Sequence, residues 1–171
     1  QLELDRGDIA GGIQKVRAAH AAQPSRVPAS MVADALRFAL DRDFGRAAGL
    51  WREAVALSGS PRDAATTLRT TVDGFLRLGD LPQAWEALRP LLSPAAARGV
   101  GGADAESSLL VADGADPQLA VAPQRWLQGR LADLFAKASP SLRAELEQYA
   151  ASAARVALAD PIDGGRDESL A

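Results

Sequence analysis

The amino-acid sequence predicts an all-α fold made of antiparallel helical hairpins stacked side by side. Three observations lead there. The 171-residue chain is 47% hydrophobic but only 5% aromatic, and Ala dominates its apolar content. Ala is the best helix former, whereas strands favour β-branched and aromatic residues. Apolar residues recur at helical spacing through most of the chain. A turn pattern also returns at intervals of about 35 residues, in Arg6-Gly7-Asp8-Ile9, Asp41-Arg42-Asp43-Phe44 and Leu78-Gly79-Asp80-Leu81. Each Asp is followed by an apolar residue and, four positions on, by a small one: Gly12, Ala47 and Ala84. Self-similarity on this scale signals stacked units, each too small to bury its own apolar face.

The elements follow in order. Ile9, Ile13, Val16 and Ala19 or His20 share one face of a helix from about Ile9 to Ala22, which ends before Pro24 and Pro28. A second helix runs from about Ala29 to Leu40. After the Asp43 turn a third spans Phe44 to Leu57, with Ala47, Leu50 or Trp51, Ala54 and Val55 inward. Ser60-Pro61-Arg62-Asp63 opens the next: Ser60 caps, Pro61 suits the first helical position, and Asp63 completes a capping box. Leu68, Val72, Phe75 and Leu76 line its buried side until the Gly79 turn. Leu81 to Leu92 forms its partner helix, with Pro82 harmless in the first turn and Pro90 fraying the last.

Periodicity stops over residues 93–116. Gly99, Gly101 and Gly102 precede an acidic stretch with Asp104, Glu106, Asp113 and Asp116, which reads as a loop or linker with room for a short helix at Glu106–Val111. A C-terminal hairpin follows over 117–171. Its first helix, from about Pro123 to Ala138, buries Trp126, Leu127, Leu131, Leu134 and Phe135. Its second starts at Ser139-Pro140, carries Leu142, Leu146, Tyr149, Ala153 and Val156, and stops at Asp160-Pro161 before an Asp163-Gly164-Gly165 turn. This hairpin either continues the stack or packs back on it.

Composition bounds the function. A net charge of −3 and a pI near 5.2 argue against nucleic acid as a partner. Of 19 basic residues only Lys15 and Lys137 are lysines. Without cysteine there is no disulfide, thiolate or cysteine-ligated metal, and one histidine gives a zinc site no ligand set. No cofactor or metal is expected. No stretch reaches the ~20 apolar residues of a membrane span. The chain opens on Gln, with Leu2-Glu3-Leu4-Asp5 reading as a helix end and Asp167-Glu168-Ser169-Leu170 as a helix start. It is therefore expected to be a segment of a longer protein.

Several short motifs are read as structure. Asp43-Phe44-Gly45 spells the metal-binding tripeptide of protein kinases, but their other signature loops are missing. Arg6-Gly7-Asp8 spells a cell-adhesion tripeptide, yet it occupies the recurring turn. His20 has no nearby Ser or Asp arrangement and reads as a residue complementing the helix C-terminus. Gly99-x-Gly101-Gly102 lacks the strand and Lys-Ser/Thr of a phosphate loop. The acidic stretch lacks calcium-loop spacing. Trp51, Trp85 and Trp126 are read as core.

The small and bulky positions resemble tetratricopeptide repeats. In that pattern a small residue precedes an aromatic by three positions in the first helix. A small, bulky, small series follows in the second. Ala35, Phe38, Ala47, Trp51 and Ala54 match one repeat; Leu68, Phe75, Ala84 and Leu88 match the next; Gly12, Val16, Ala19 and Pro24 belong to a partial first. Val72 and Leu91 depart from it, and no Trp-x-x-Leu-Gly opening occurs. The resemblance covers about residues 1–92. Small residues such as Ala47 and Ala84 let helices approach, while Phe38, Trp51, Phe75 and Trp85 are expected to fill the gaps between hairpins.

The resemblance implies a non-catalytic protein-interaction or scaffold module, a short tetratricopeptide-like α-solenoid holding a protein or peptide on a concave face. On this sequence that face comprises Val32, Leu36, Arg69, Asp73 and Arg77. Arg69, Asp73 and Arg77 lie at i, i+4 and i+8 and share one stripe, where Arg69 and Arg77 would grip an acidic group. The bland alternative is a solvated, salt-bridged face. Two other functions compete. The helices could form a structural spacer in a longer bacterial cell-envelope protein, since Ala/Arg-rich hairpins of this kind look like those accompanying β-propeller domains. They could also be an accessory part of an enzyme.

Overall fold

The computed structural model describes residues 8–92, 111–112 and 120–159. These residues are almost entirely helical. Helices α1 (Ile9–Ala22), α2 (Ala29–Arg42), α3 (Phe44–Ala47), α4 (Trp51–Ala56), α5 (Pro61–Leu78) and α6 (Leu81–Leu88) follow in order, with 3-10 turns at Ala48–Leu50 and Arg89–Leu92. Strands β1 (Val111–Ala112) and β2 (Ala120–Val121) form a two-residue antiparallel pair, and α7 (Pro123–Lys137) and α8 (Pro140–Ala159) complete the chain. The expected loop glycines and acidic residues at 99–110, 113 and 116 lie outside the described residues. So do Arg6, Gly7 and both expected terminal segments. Of the expected helix at Glu106–Val111 only Val111 is described, and it opens a strand. Packing divides the chain into two units, Gln1–Leu134 and Phe135–Ala171.

Each recurring Asp is a helix N-cap. Asp8 accepts a hydrogen bond from the Gly11 N–H (2.9 Å), Asp43 from Arg46 (3.3 Å) and Asp80 from Gln83 (3.2 Å). A side-chain oxygen thereby satisfies a backbone donor that the first helical turn leaves open. Ser60 caps α5 by accepting from the Asp63 N–H (3.1 Å), while its hydroxyl donates to the Asp63 carboxylate (2.7 Å). His20, in the last turn of α1, donates from Nδ1 to the Val27 carbonyl (2.6 Å) and ties the following loop to the helix.

Successive helices pack on one another: α1 on α2, α2 on α4, α4 on α5 and α5 on α6. Helix α2 also touches α3 and α5. Its buried stripe is therefore wide, running through Val32, Ala33, Ala35, Leu36, Ala39 and Leu40. Phe38 falls off that stripe and is 37% exposed, so it does not fill a gap between hairpins. Trp51, Phe75 and Trp85 are buried as expected, and Trp51 rather than Leu50 occupies the inner face of α4. In α5 two buried hydroxyls are satisfied locally: Thr67 donates to the Asp63 carbonyl (3.0 Å) and Thr71 to the Thr67 carbonyl (2.8 Å).

Two expected helices are interrupted. The segment from Phe44 to Leu57 contains a 3-10 turn over Ala48-Gly49-Leu50. Gly49 favours helix poorly and adds no side chain to hold the turn. The helix from Leu81 tightens to 3-10 at Arg89, next to Pro90, whose ring and missing N–H disrupt continuation.

A row of ion pairs runs along the outer helices. Arg17 of α1 binds both carboxylate oxygens of Glu53 in α4. Arg52 of α4 does the same to Glu86 of α6, at 3.2 and 2.6 Å. Arg17 and Arg52 each stand nine positions after a capping Asp, and Arg89 holds that position after Asp80.

Gly79 ends α5 with a left-handed backbone (φ 75°), and the Asp80 N–H donates back to the Phe75 carbonyl (3.0 Å). A Cβ at this glycine would meet nothing within 4 Å, so a side chain is opposed by conformation alone. Gly79→Ala is expected to destabilise the fold by about 1–2 kcal/mol, measured as a lower urea midpoint at unchanged slope.

The second unit has its own local contacts. Ser139 accepts from the Leu142 N–H (3.4 Å) at the start of α8, and Arg143 donates to the Phe135 carbonyl (2.9 Å). Leu142 and Leu146, four apart, are buried, whereas Ala153 is exposed.

Candidate partner-binding site

Val32 and Leu36 are 2% and 0% exposed, enclosed in the wide stripe of α2. A partner cannot reach them without opening the core, so they do not join a surface with the charged residues. The stripe that remains is on α5.

There, Arg69, Asp73 and Arg77 follow one another at successive turns, as their spacing requires. Their pairing differs from a simple salt-bridged face. Asp73 turns to α7: Arg130 Nε lies 2.6 Å from Asp73 Oδ1. The approach is oblique to the N–H direction, so charge attraction more than a linear hydrogen bond carries the contact. The Trp126 indole, on the same helix as Arg130, also favours the charged form of the Asp73 carboxylate. Burial pushes the Asp73 carboxyl above its ordinary value, while Arg130, Trp126 and the Arg77 charge pull it down.

Arg130 is 8% exposed and Trp126 3%. The guanidinium also donates to Asp133 (2.9 Å) and sits 5.7 Å from the centre of the Trp126 ring. Two carboxylates thus compensate one buried cation, which burial of a charge requires. Arg77 is exposed and donates from Nε to the Asp73 carbonyl (3.3 Å), which anchors its side chain along the helix.

Arg69 is different. It is half-buried and has no hydrogen bond or ion pair among the described residues. Burial lowers its pKa, although a guanidinium stays charged. Arg69 is thus a partly desolvated cation one turn from a carboxylate that is engaged elsewhere.

Sequence reasoning missed Arg130, Trp126 as its companion, and Asp133. A signal was present. Trp126, Arg130 and Leu134 lie four apart on one buried stripe, and a basic residue inside such a stripe calls for a buried counterion.

The motif residues within the described chain have structural occupations. The Asp43 carboxylate is committed to the Arg46 N–H and lies 3.6 Å from the Arg46 guanidinium. Asp8 holds the start of α1. No helix among the described residues is long and apolar enough to cross a membrane. No protein-family model, no curated protein and no solved structure matches this chain.

Proposed function

We propose that this chain is a non-catalytic protein-interaction module, a tetratricopeptide-like stack whose α5 surface binds an acidic group of a protein or peptide partner through Arg69 and Arg77. The single observation that carries the reading is Arg69, a half-buried guanidinium with no counterion among the described residues, beside an Asp73 engaged by Arg130. An intramolecularly paired Arg69 would have favoured the solvated-face alternative. The stacking reading draws support from three Asp caps at recurring positions, from helices that pack in sequence order, and from Arg17 and Arg52, which stand at the same distance from their capping Asp and each pair with a Glu of a later helix.

Affinity capture from extract of the source cells tests the function. Immobilised wild type is compared with an Arg69→Glu, Arg77→Glu double variant, after both show equal thermal unfolding. Both side chains are partly or fully exposed, so charge reversal is expected to abolish capture without lowering stability. A partner retained equally by both proteins rejects the arginine stripe. No specific partner on either favours a structural spacer.

A further inference from the structure

Arg130 belongs to another helix, yet its position changes what the α5 stripe offers. With α5 alone, Arg69 and Arg77 flank Asp73 at i, i+4 spacing, the arrangement in which oppositely charged side chains neutralise one another. Arg130 alters that balance by taking the carboxylate at 2.6 Å. Its own position is fixed: it is 8% exposed, held by Asp133 at 2.9 Å and set against Trp126, itself 3% exposed. The consequence is visible at Arg69, which lacks a partner among the described residues although a carboxylate stands one turn away.

We infer that Arg130 is the charge-compensating residue of the site: it neutralises Asp73 from α7 and so converts a mixed-charge stripe into a receptor for a carboxylate-rich peptide. This rests on the reading of Arg69 and Arg77 as partner-binding residues. Asp73 is the internal competitor for those arginines, and Arg130 removes it from competition. An incoming carboxylate then meets Arg69 and Arg77 without a bare anion between them. Replacing Arg130 with a neutral residue should therefore weaken acidic-peptide binding twice over, by removing a positive charge and by exposing a negative one. Removing Asp73 at the same time should restore it.

The test uses the whole chain and a fluorescent peptide of ten glutamates, followed by anisotropy at low ionic strength, where charge contacts are least screened. Arg130→Gln is expected to weaken uptake about tenfold or more, a loss of ~1.4 kcal/mol per decade. Arg130→Lys, which keeps the charge, should retain uptake. Asp73→Asn should bind as well as wild type or better, and Asp73→Asn with Arg130→Gln should return to within about threefold of wild type, because no bare carboxylate then stands between Arg69 and Arg77, although Asp133 loses its partner. Circular dichroism checks each fold. If Arg130→Gln unfolds, the Asp73→Asn and Arg130→Lys arms decide, and weakened uptake in either overturns the inference. Unchanged or tighter binding by folded Arg130→Gln also overturns it, the tighter result making α7 a plug over the stripe. Loss on Arg69→Glu, Arg77→Glu with no effect of Arg130→Gln leaves the proposed function standing and removes this inference. No uptake by wild type removes both.

Discussion

Leu36→Ala is expected to lose about 2–5 kcal/mol of unfolding free energy, the usual range for removing a buried Leu side chain. Leu36 is 0% exposed at the centre of α2, the helix that α1, α3, α4 and α5 all contact. Truncation removes apolar area from the core and leaves a cavity that four packed neighbours cannot readily close. Urea unfolding should show a lower midpoint at unchanged slope. Phe38→Ala, on the same helix but at a partly exposed position, should lose less despite the larger side chain. A loss below about 1 kcal/mol at Leu36 would place it at the surface and return it to the partner-facing role expected from the sequence.

The second large effect is expected at Gly74. Replacing a helical Gly with Ala ordinarily stabilises by about 1 kcal/mol. At this site the sign should reverse. A Cβ on Gly74 would lie 2.5 Å from three atoms of the Phe44 ring. That ring cannot simply swing aside, because it is buried and meets the Phe75 ring edge to face at 5.0 Å and 88°. Overpacking of this kind costs about 1–3 kcal/mol, which outweighs the propensity gain over most of its range. Gly74→Ala should lower the thermal midpoint, and Gly74→Ala with Phe44→Leu should recover part of the loss by freeing space. A higher midpoint for Gly74→Ala alone would show that α3 and α5 are not in close contact there.

These two sites show where the sequence was legible and where it was not. Helix starts could be read because their chemistry is local: Asp8, Asp43, Ser60 and Asp80 need only a backbone N–H three residues on. The buried face of α5 followed from apolar spacing for the same reason. Gly74 was silent, because a glycine inside a helix reveals nothing of the ring that needs its missing Cβ. Val32 and Leu36 were assigned to a surface by the register of the tetratricopeptide resemblance. Their burial depends on how many neighbours surround α2, which spacing along one helix does not encode. Phe38 failed in the opposite direction, since an aromatic at a matching position came to rest beside the buried stripe.

The candidate site divides in the same way. The shared face of Arg69, Asp73 and Arg77 is a property of one helix and was readable. The partner of Asp73, Arg130, lies 57 positions further along on another helix, and nothing in the local sequence ties the two together. Only the interruption of the Trp126–Leu134 stripe by a cation hinted otherwise.

Packing in sequence order gives residues 8–92 a particular mechanical character. The principal contacts join helices that are near one another in sequence, so load passes from junction to junction, with α2 reaching on to α5 and the Arg17–Glu53 and Arg52–Glu86 pairs reinforcing the joins. A chain loaded in series yields at its weakest junction while the others hold. Under load it is expected to lengthen by releasing one helix pair at a time and to recoil as each pair re-docks.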